Sequence, residues 1–158
     1  RMVVYRKATK KDAEGIAIVL KESYNISSIE EGKEIFRNET KKGYNYIVAE
    51  ENGKIIGLTT WQIHGLFRHE LCELDRIAVL PEAKGRGVAK ELFYALIKEA
   101  NNRYKEHGFR LRKLYILTHA DNKRAQSFYE KMGCRHEATL KSHYYKDKDE
   151  WVYSRFFD

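Results

Sequence analysis

Residues 70–107 do most to restrict what this chain can fold into. ELCELDRIAV, residues 70–79, reads as a strand that Pro81 stops, and glycines stand at 85 and 87. From Val88 to about His107, Leu92, Ala95, Leu96 and Glu99 fall at helical spacing, with Gly108 at the close. A strand handed through a short glycine loop into a long helix belongs to a layered α/β arrangement. The rest of the pattern agrees. MVVYRKA (2–8) alternates like a short strand, Thr9 followed by Asp12 resembles a helix start ahead of AEGIAIVLKESY, and a helical pattern covers about 28–41. YNYIVAE (44–50) and KIIGLTTWQI (54–63) flank Asn52-Gly53, the dipeptide of a tight hairpin turn. KLYILTH (113–119) is a buried-type strand, and NKRAQSFYEKM (122–132) is a helix closed by Gly133. CRHEATLKSHYY and EWVYSRFF form a last pair of strands around KDKDE. The order βααβββαβαββ predicts one mixed sheet with helices on both faces, a single domain over residues 1–158.

Composition narrows the chemistry. The formal charge of +7 favours a polyanionic partner: nucleic acid, an anionic membrane face or a phosphorylated cofactor. Basic residues are dispersed among acids, as in KKDAEG and KDKDEW, so an ordinary solvated surface competes with all three. No window approaches the roughly 18–20 consecutive apolar residues of a membrane span, and RMVVYRKATKKD lacks the apolar core of a secretory signal. The expectation is a cytoplasmic protein. Cys72 and Cys134 have no CxxC spacing, lie in apolar stretches and read as reduced core thiols. His64, His69, His107, His119, His136 and His143 show no HxxxH or HExxH spacing, so no metal is expected.

Free amides at a helix start point outward with partial positive charge, and glycine lets the backbone approach an anion closely. The loop before Val88 is therefore suited to phosphate, with Lys84, Arg86 and Lys90 adding mobile positive charge. A glycine turn with no ligand is the plain alternative. A Walker loop needs GxxxxGK followed by Ser or Thr, a string the chain lacks. A dinucleotide fingerprint needs a third glycine where Lys90 stands.

LDRIAVLPEAKGRGVAKEL resembles the cofactor-binding signature of the GCN5-related N-acetyltransferase superfamily, whose core is Arg or Gln, two residues, Gly, any residue, then Gly or Ala. It falls on Lys84, Gly85, Arg86, Gly87, Val88 and Ala89, with Lys84 departing from the usual Arg or Gln. NKRAQSFYEKMGC is similar to the second signature, on Asn122, Ala125, Phe128, Tyr129 and Gly133. The resemblance implies the acyl-CoA N-acyltransferase fold: a mixed, mostly antiparallel sheet of about seven strands flanked by about four helices. It also implies acetyl-CoA as cosubstrate in a cleft where the fourth and fifth strands splay apart. The diphosphate would lie on the backbone of residues 84–90, and the pantetheine would pair with Ile77, Ala78 and Val79, with Asn122 and Ala125 beside it.

Acetyl transfer to an amine needs an uncharged nucleophile, a polarised thioester carbonyl and a proton for the departing thiolate. By the resemblance Glu73 is the general base, with Asp75, of equal parity on an ideal strand, in reserve. An exposed strand carboxylate, or one that only attracts a cationic substrate, is the other reading of Glu73. A backbone amide near Ile77 or Ala78 would polarise the carbonyl. Tyr129 would protonate the thiolate, or else serve as a core aromatic, since Ala125, Phe128, Tyr129 and Met132 share one helical face. Asn122 would bond the pantetheine, cap its own helix, or do both. Trp61, His64, Phe67, Arg68 and His69 lie near where relatives bind the acceptor, although Trp61 also suits a core, and Tyr144 and Tyr145 are candidate rim residues. The acceptor implied is a small cationic amine, with a protein α-amine or lysine as the alternative. A non-catalytic acetyl-CoA sensor or a basic nucleic-acid binder is the alternative of another class. Relatives that pair through their C-terminal strands imply a homodimer.

Overall fold

The computed structural model describes residues 2–158, so Arg1, at the head of the basic N-terminal segment, lies outside the described residues. The strands are β1 (Val4–Lys7), β2 (Asn45–Glu51), β3 (Lys54–His64), β4 (Leu71–Val79), β5 (Lys113–His119), β6 (Arg135–Tyr145) and β7 (Lys148–Phe156). Four α-helices stand among the described residues: α1 (Ala13–Ser23), α2 (Ile29–Lys41), α3 (Val88–Lys105) and α4 (Lys123–Lys131). The strands form a seven-stranded sheet in the order β1-β2-β3-β4-β5-β7-β6. The β4–β5 pair is parallel, and the pairs β1–β2, β2–β3, β5–β7 and β6–β7 are antiparallel. The mixed sheet expected from the element order, with the mostly antiparallel pairing that the resemblance implies, is what the chain forms.

Contacts divide the chain into two compact units, one running to Gln62 and including Arg76–Glu99, the other made of Ile63–Asp75 and Ala100–Asp158. In the first, α1 and α2 bury Ile16, Val19, Leu20 and Phe36 with Tyr46, Val48, Leu58 and Ala78 of the strands. Two glycines permit close approaches there. A Cβ on Gly32 would stand 2.8 Å from the Cβ of Ala17, so α2 lies directly on α1. A Cβ on Gly57 would meet the Ala78 carbonyl at 3.0 Å and side chains of Leu92 and Val88 at 3.2 and 3.3 Å, so the first turn of α3 lies tight against β3 and β4. The helix start expected at Thr9 is a 3-10 turn, Lys10–Asp12. Asp12 accepts from the Thr9 amide at 2.7 Å and from both terminal nitrogens of Arg6 at 2.8 and 2.9 Å. The hairpin turn has Asn52 at φ 52° and Gly53 at φ 78°, both in the left-handed region that this dipeptide tolerates.

In the second unit the core is built from Leu74, Tyr104, Leu114, Ile116, Met132 and Tyr153, with the free thiols Cys72 and Cys134 buried among the apolar positions. The Tyr104 hydroxyl donates to the Leu71 carbonyl, which ties α3 to the start of β4. No helix among the described residues is long and apolar enough to cross a membrane.

Candidate active site

The first unit contains the glycine loop. The Leu80 amide donates to the Ile56 carbonyl at 2.8 Å, the last anchor of β4 on β3, and a 3-10 turn over Pro81–Ala83 then lifts the chain off the sheet. Gly85 and Gly87 sit at φ 79° and 80°, a conformation that a side chain resists. The first bond of α3 runs from the Glu91 amide to the Gly87 carbonyl at 3.0 Å, so Gly87 caps the helix and the amides of its first turn have no intrahelical acceptor. Nothing lies within 4 Å of where a Cβ would stand on Gly85 or Gly87. An exposed stretch of backbone with outward amides and no side chain over it meets the stereochemical needs of an anion cradle.

The side chains around the loop divide. Lys84 and Lys90 are exposed. Arg86 departs from the expectation of mobile charge: its guanidinium forks onto the carboxylate of Glu51, with one contact at 3.2 Å from Nη1 to Oε1 and a second between Nη2 and Oε2. Glu51 lies on β2 and is buried, so Arg86 is a fixed strut of the loop.

Glu73, in the second unit, is part of a cluster. The ladder between β4 and β5 registers Leu71↔Lys113, Cys72↔Leu114 and Glu73↔Tyr115, and no further β5 pair among the described residues, although β4 runs on through Ile77, Ala78 and Val79. At the end of this ladder Glu73 Oε1 lies 2.8 Å from His64 Nε2 and 3.3 Å from the Tyr115 hydroxyl, which donates to it. The His64 and Tyr115 rings lie 5.5 Å apart at a 43° tilt. Burial and then the charge of Glu73 push the Tyr115 phenol far above its ordinary range, so it remains a donor. Burial, with the charges of Asp75 and Glu73 behind it, pushes the Cys72 thiol up to about 12, which leaves it an unreactive core group.

The other predicted residues have settled places. Asn122 caps α4, its side-chain oxygen accepting from the Ala125 amide at 3.1 Å. Tyr129 is 6% exposed, with ring centroids 5.5 Å from Phe128 and 6.4 Å from Tyr153. Trp61 is fully buried in the first unit and donates its indole N–H to Glu99 at 2.7 Å. Asp75 is half-buried on β4. A cavity of about 680 Å³ in the first unit, walled by Ala13, Phe36, Tyr44 and Tyr46, contains none of the predicted site residues.

Tyr115 is the member of the Glu73 cluster that sequence reasoning missed. Within KLYILTH nothing distinguishes it from a packing aromatic. Only the parallel register Glu73↔Tyr115 brings it to the carboxylate, and register between strands 42 positions apart leaves no local signal.

Comparison with known proteins accords with the fold. The profile of the acetyltransferase (GNAT) family matches residues 13–134, most of the chain, and the chain belongs to that family. Among curated relatives, the uncharacterised N-acetyltransferase YjgM of Escherichia coli K12 is 29% identical over 103 residues, 65% of this chain and 58% of the relative. The spore coat polysaccharide biosynthesis protein SpsD of Bacillus subtilis 168 is 31% identical over 147 residues, 85% of this chain and 46% of the relative. The chain thus spans about half the length of the curated relatives it matches. Among solved structures, the PaiA N-acetyltransferase of Thermoplasma acidophilum, crystallised with coenzyme A, superposes with a TM-score of 0.75 over 99% of this chain and 100% of that one, at 23% identity. At that identity the likeness speaks for the fold.

Proposed function

We propose that residues 1–158 act as a single acetyl-CoA-dependent N-acetyltransferase domain that moves an acetyl group directly to a primary amine, a small cationic one, in a ternary complex. One observation carries the reading: glycines 85 and 87 hold the loop open in left-handed conformations immediately before the free amides of α3. The family membership and the coenzyme A complex of a structural relative support the same cosubstrate.

When bound, acetyl-CoA supplies an activated acetyl group on a thiol leaving group. The backbone amides from Gly85 to Lys90 receive its diphosphate, and exposed Lys84 and Lys90 add charge. Ile77, Ala78 and Val79 offer main-chain groups to the pantetheine, and an amide near Ile77 or Ala78 polarises the carbonyl. Tyr129 donates its phenolic proton to the departing thiolate. The Glu73 cluster removes a proton from the acceptor ammonium, freeing the amine's electron pair for attack, and with Asp75 on the same strand it favours a cationic acceptor. Asn122, its oxygen occupied by the cap, has its amide N–H groups for the pantetheine. A cytoplasmic location and pairing through the C-terminal strands accompany this reading, and Tyr144 and Tyr145 on β6, 62% and 59% exposed, suit such a contact.

Calorimetric titration with coenzyme A, followed by thiol release from acetyl-CoA across a panel of amines, tests the proposal. The expected result is saturable uptake, turnover on small diamines or polyamines, and a lower rate in Tyr129→Phe. No uptake of coenzyme A by the folded chain overturns it, and uptake without turnover on any amine favours the sensor.

A further inference from the structure

We infer that His64 is the group that takes the proton from the acceptor amine, through Nδ1, and that Glu73 acts on the reaction only by holding and charging that imidazole. The inference rests on the acetyltransferase reading and assigns the division of labour inside its proton-accepting cluster.

Three features carry it. First, the bonding at Glu73 sets the histidine tautomer. An ionised carboxylate accepts and does not donate. The nitrogen 2.8 Å from Glu73 Oε1 is Nε2, so Nε2 carries the hydrogen and the lone pair of a neutral ring lies on Nδ1. Among the described residues Nδ1 has no hydrogen-bond partner. Second, the same oxygen of Glu73 also accepts from the Tyr115 phenol at 3.3 Å. Two donors on one carboxylate oxygen occupy the lone pairs with which it would take a proton from a substrate. Third, access differs. The His64 side chain is 37% exposed and that of Glu73 is 16% exposed, so the imidazole is the more open of the two to a substrate. The arrangement follows the logic of histidine–carboxylate pairs, in which the acid fixes the tautomer and stabilises the imidazolium without being protonated itself.

The step balances. An N–H bond of the acceptor ammonium breaks and an Nδ1–H bond forms. The amine keeps the electron pair with which it attacks the thioester carbonyl, and the imidazolium charge is met by the Glu73 carboxylate. Nδ1 then returns the proton to water. The titratable neighbours of the pair are Tyr115 on β5 and, acting through charge on that phenol, Asp75 and Cys72 on β4.

The first test needs no turnover. Side-chain 15N spectra, with the His64 signal assigned by its loss in His64→Gln, should give the Nε2-protonated tautomer for the neutral ring; an Nδ1-protonated ring overturns the inference. The second test is kinetic. His64→Ala should lower kcat about a hundredfold or more, the usual worth of a general base, with the affinity for coenzyme A unchanged. Added imidazole should restore turnover to His64→Ala and leave Glu73→Ala unrescued, and Glu73→Gln should keep an ascending limb in its pH–rate profile. A His64→Ala enzyme within about threefold of the parent, set beside an inactive Glu73→Gln, makes Glu73 the base itself and sinks the proposal. If the parent takes up no coenzyme A, the acetyltransferase reading fails instead, whatever the tautomer shows.

Discussion

Arg76 illustrates how much of the first unit depends on one side chain. Its guanidinium donates to both oxygens of Glu39 at 2.6 and 2.9 Å and lies 3.1 Å from the Tyr46 hydroxyl, with the Tyr24 ring 5.9 Å away. This joins β4 to α2, β2 and the segment after α1. Burial pushes the Glu39 carboxyl up, but Arg76 and the Tyr46 hydroxyl together outweigh it and hold the group below the usual carboxylate range. A carboxylate depressed in the folded state contributes stability above its unfolded value, near 4.3, and that contribution drains away as pH falls through the folded value. Asp12, forked by Arg6, has the same sign. With side chains only 21% and 18% exposed, the Arg76–Glu39 pair is inside enough that deleting one partner strands the other. Glu39→Gln should therefore cost about 2–3 kcal/mol in urea unfolding at pH 7, near the lower end for a broken buried pair. The loss should shrink below roughly pH 4, where the parent forfeits the same interaction. A cost that does not change with pH would mean that the carboxylate charge is not what holds the network.

At the scale of elements, the sequence states most of what the chain does, because elements are specified locally. Alternation over 70–79, Pro81 and the paired glycines foretell a strand, a stop and a helix start, and β4 and α3 fall there. Asn52-Gly53 announces a turn that only residues tolerant of positive φ can make. The site was legible to the same degree: the loop backbone could be read off the glycines, while its side-chain partners could not. Glu51 on Arg86 and Tyr115 on Glu73 come from strands far away in sequence, and register rather than local pattern chooses them. Asn122 stands between these cases, since one residue type answers to two local needs. Its cap on α4 has an energy of its own: Asn122→Ala should destabilise the chain by about 1 kcal/mol, whereas Asn122→Asp keeps an accepting oxygen and should cost far less. If the side-chain amide also donates to the pantetheine, both variants lose affinity for coenzyme A although only one loses stability. Equal affinity in Asn122→Asp and the parent would leave the cap as the whole of its role.

For the molecule as a whole, the net charge of +7 decides between two kinds of polyanion through salt. Charges spread over a surface act on a ligand through solvent, and their reach shrinks from about 10 Å at 0.1 M salt to about 3 Å at 1 M. A protein that binds nucleic acid by neutralising many phosphates loses about 10³–10⁵ in affinity over a fourfold rise in salt. The loop before α3 works differently. Its amides and glycine conformations are fixed by the backbone, Arg86 is already neutralised by Glu51, and Lys84 and Lys90 are the exposed cations left in that stretch. Coenzyme A affinity should therefore fall by only about tenfold between 0.05 and 0.5 M salt, because short-range hydrogen bonds to the diphosphate survive screening. Lys84→Ala should flatten that dependence while weakening binding at low salt. Titration calorimetry at three or four ionic strengths reads both slopes. A fall of several decades, unaltered by Lys84→Ala, would place the affinity in the dispersed surface charge and return the nucleic-acid reading to first place.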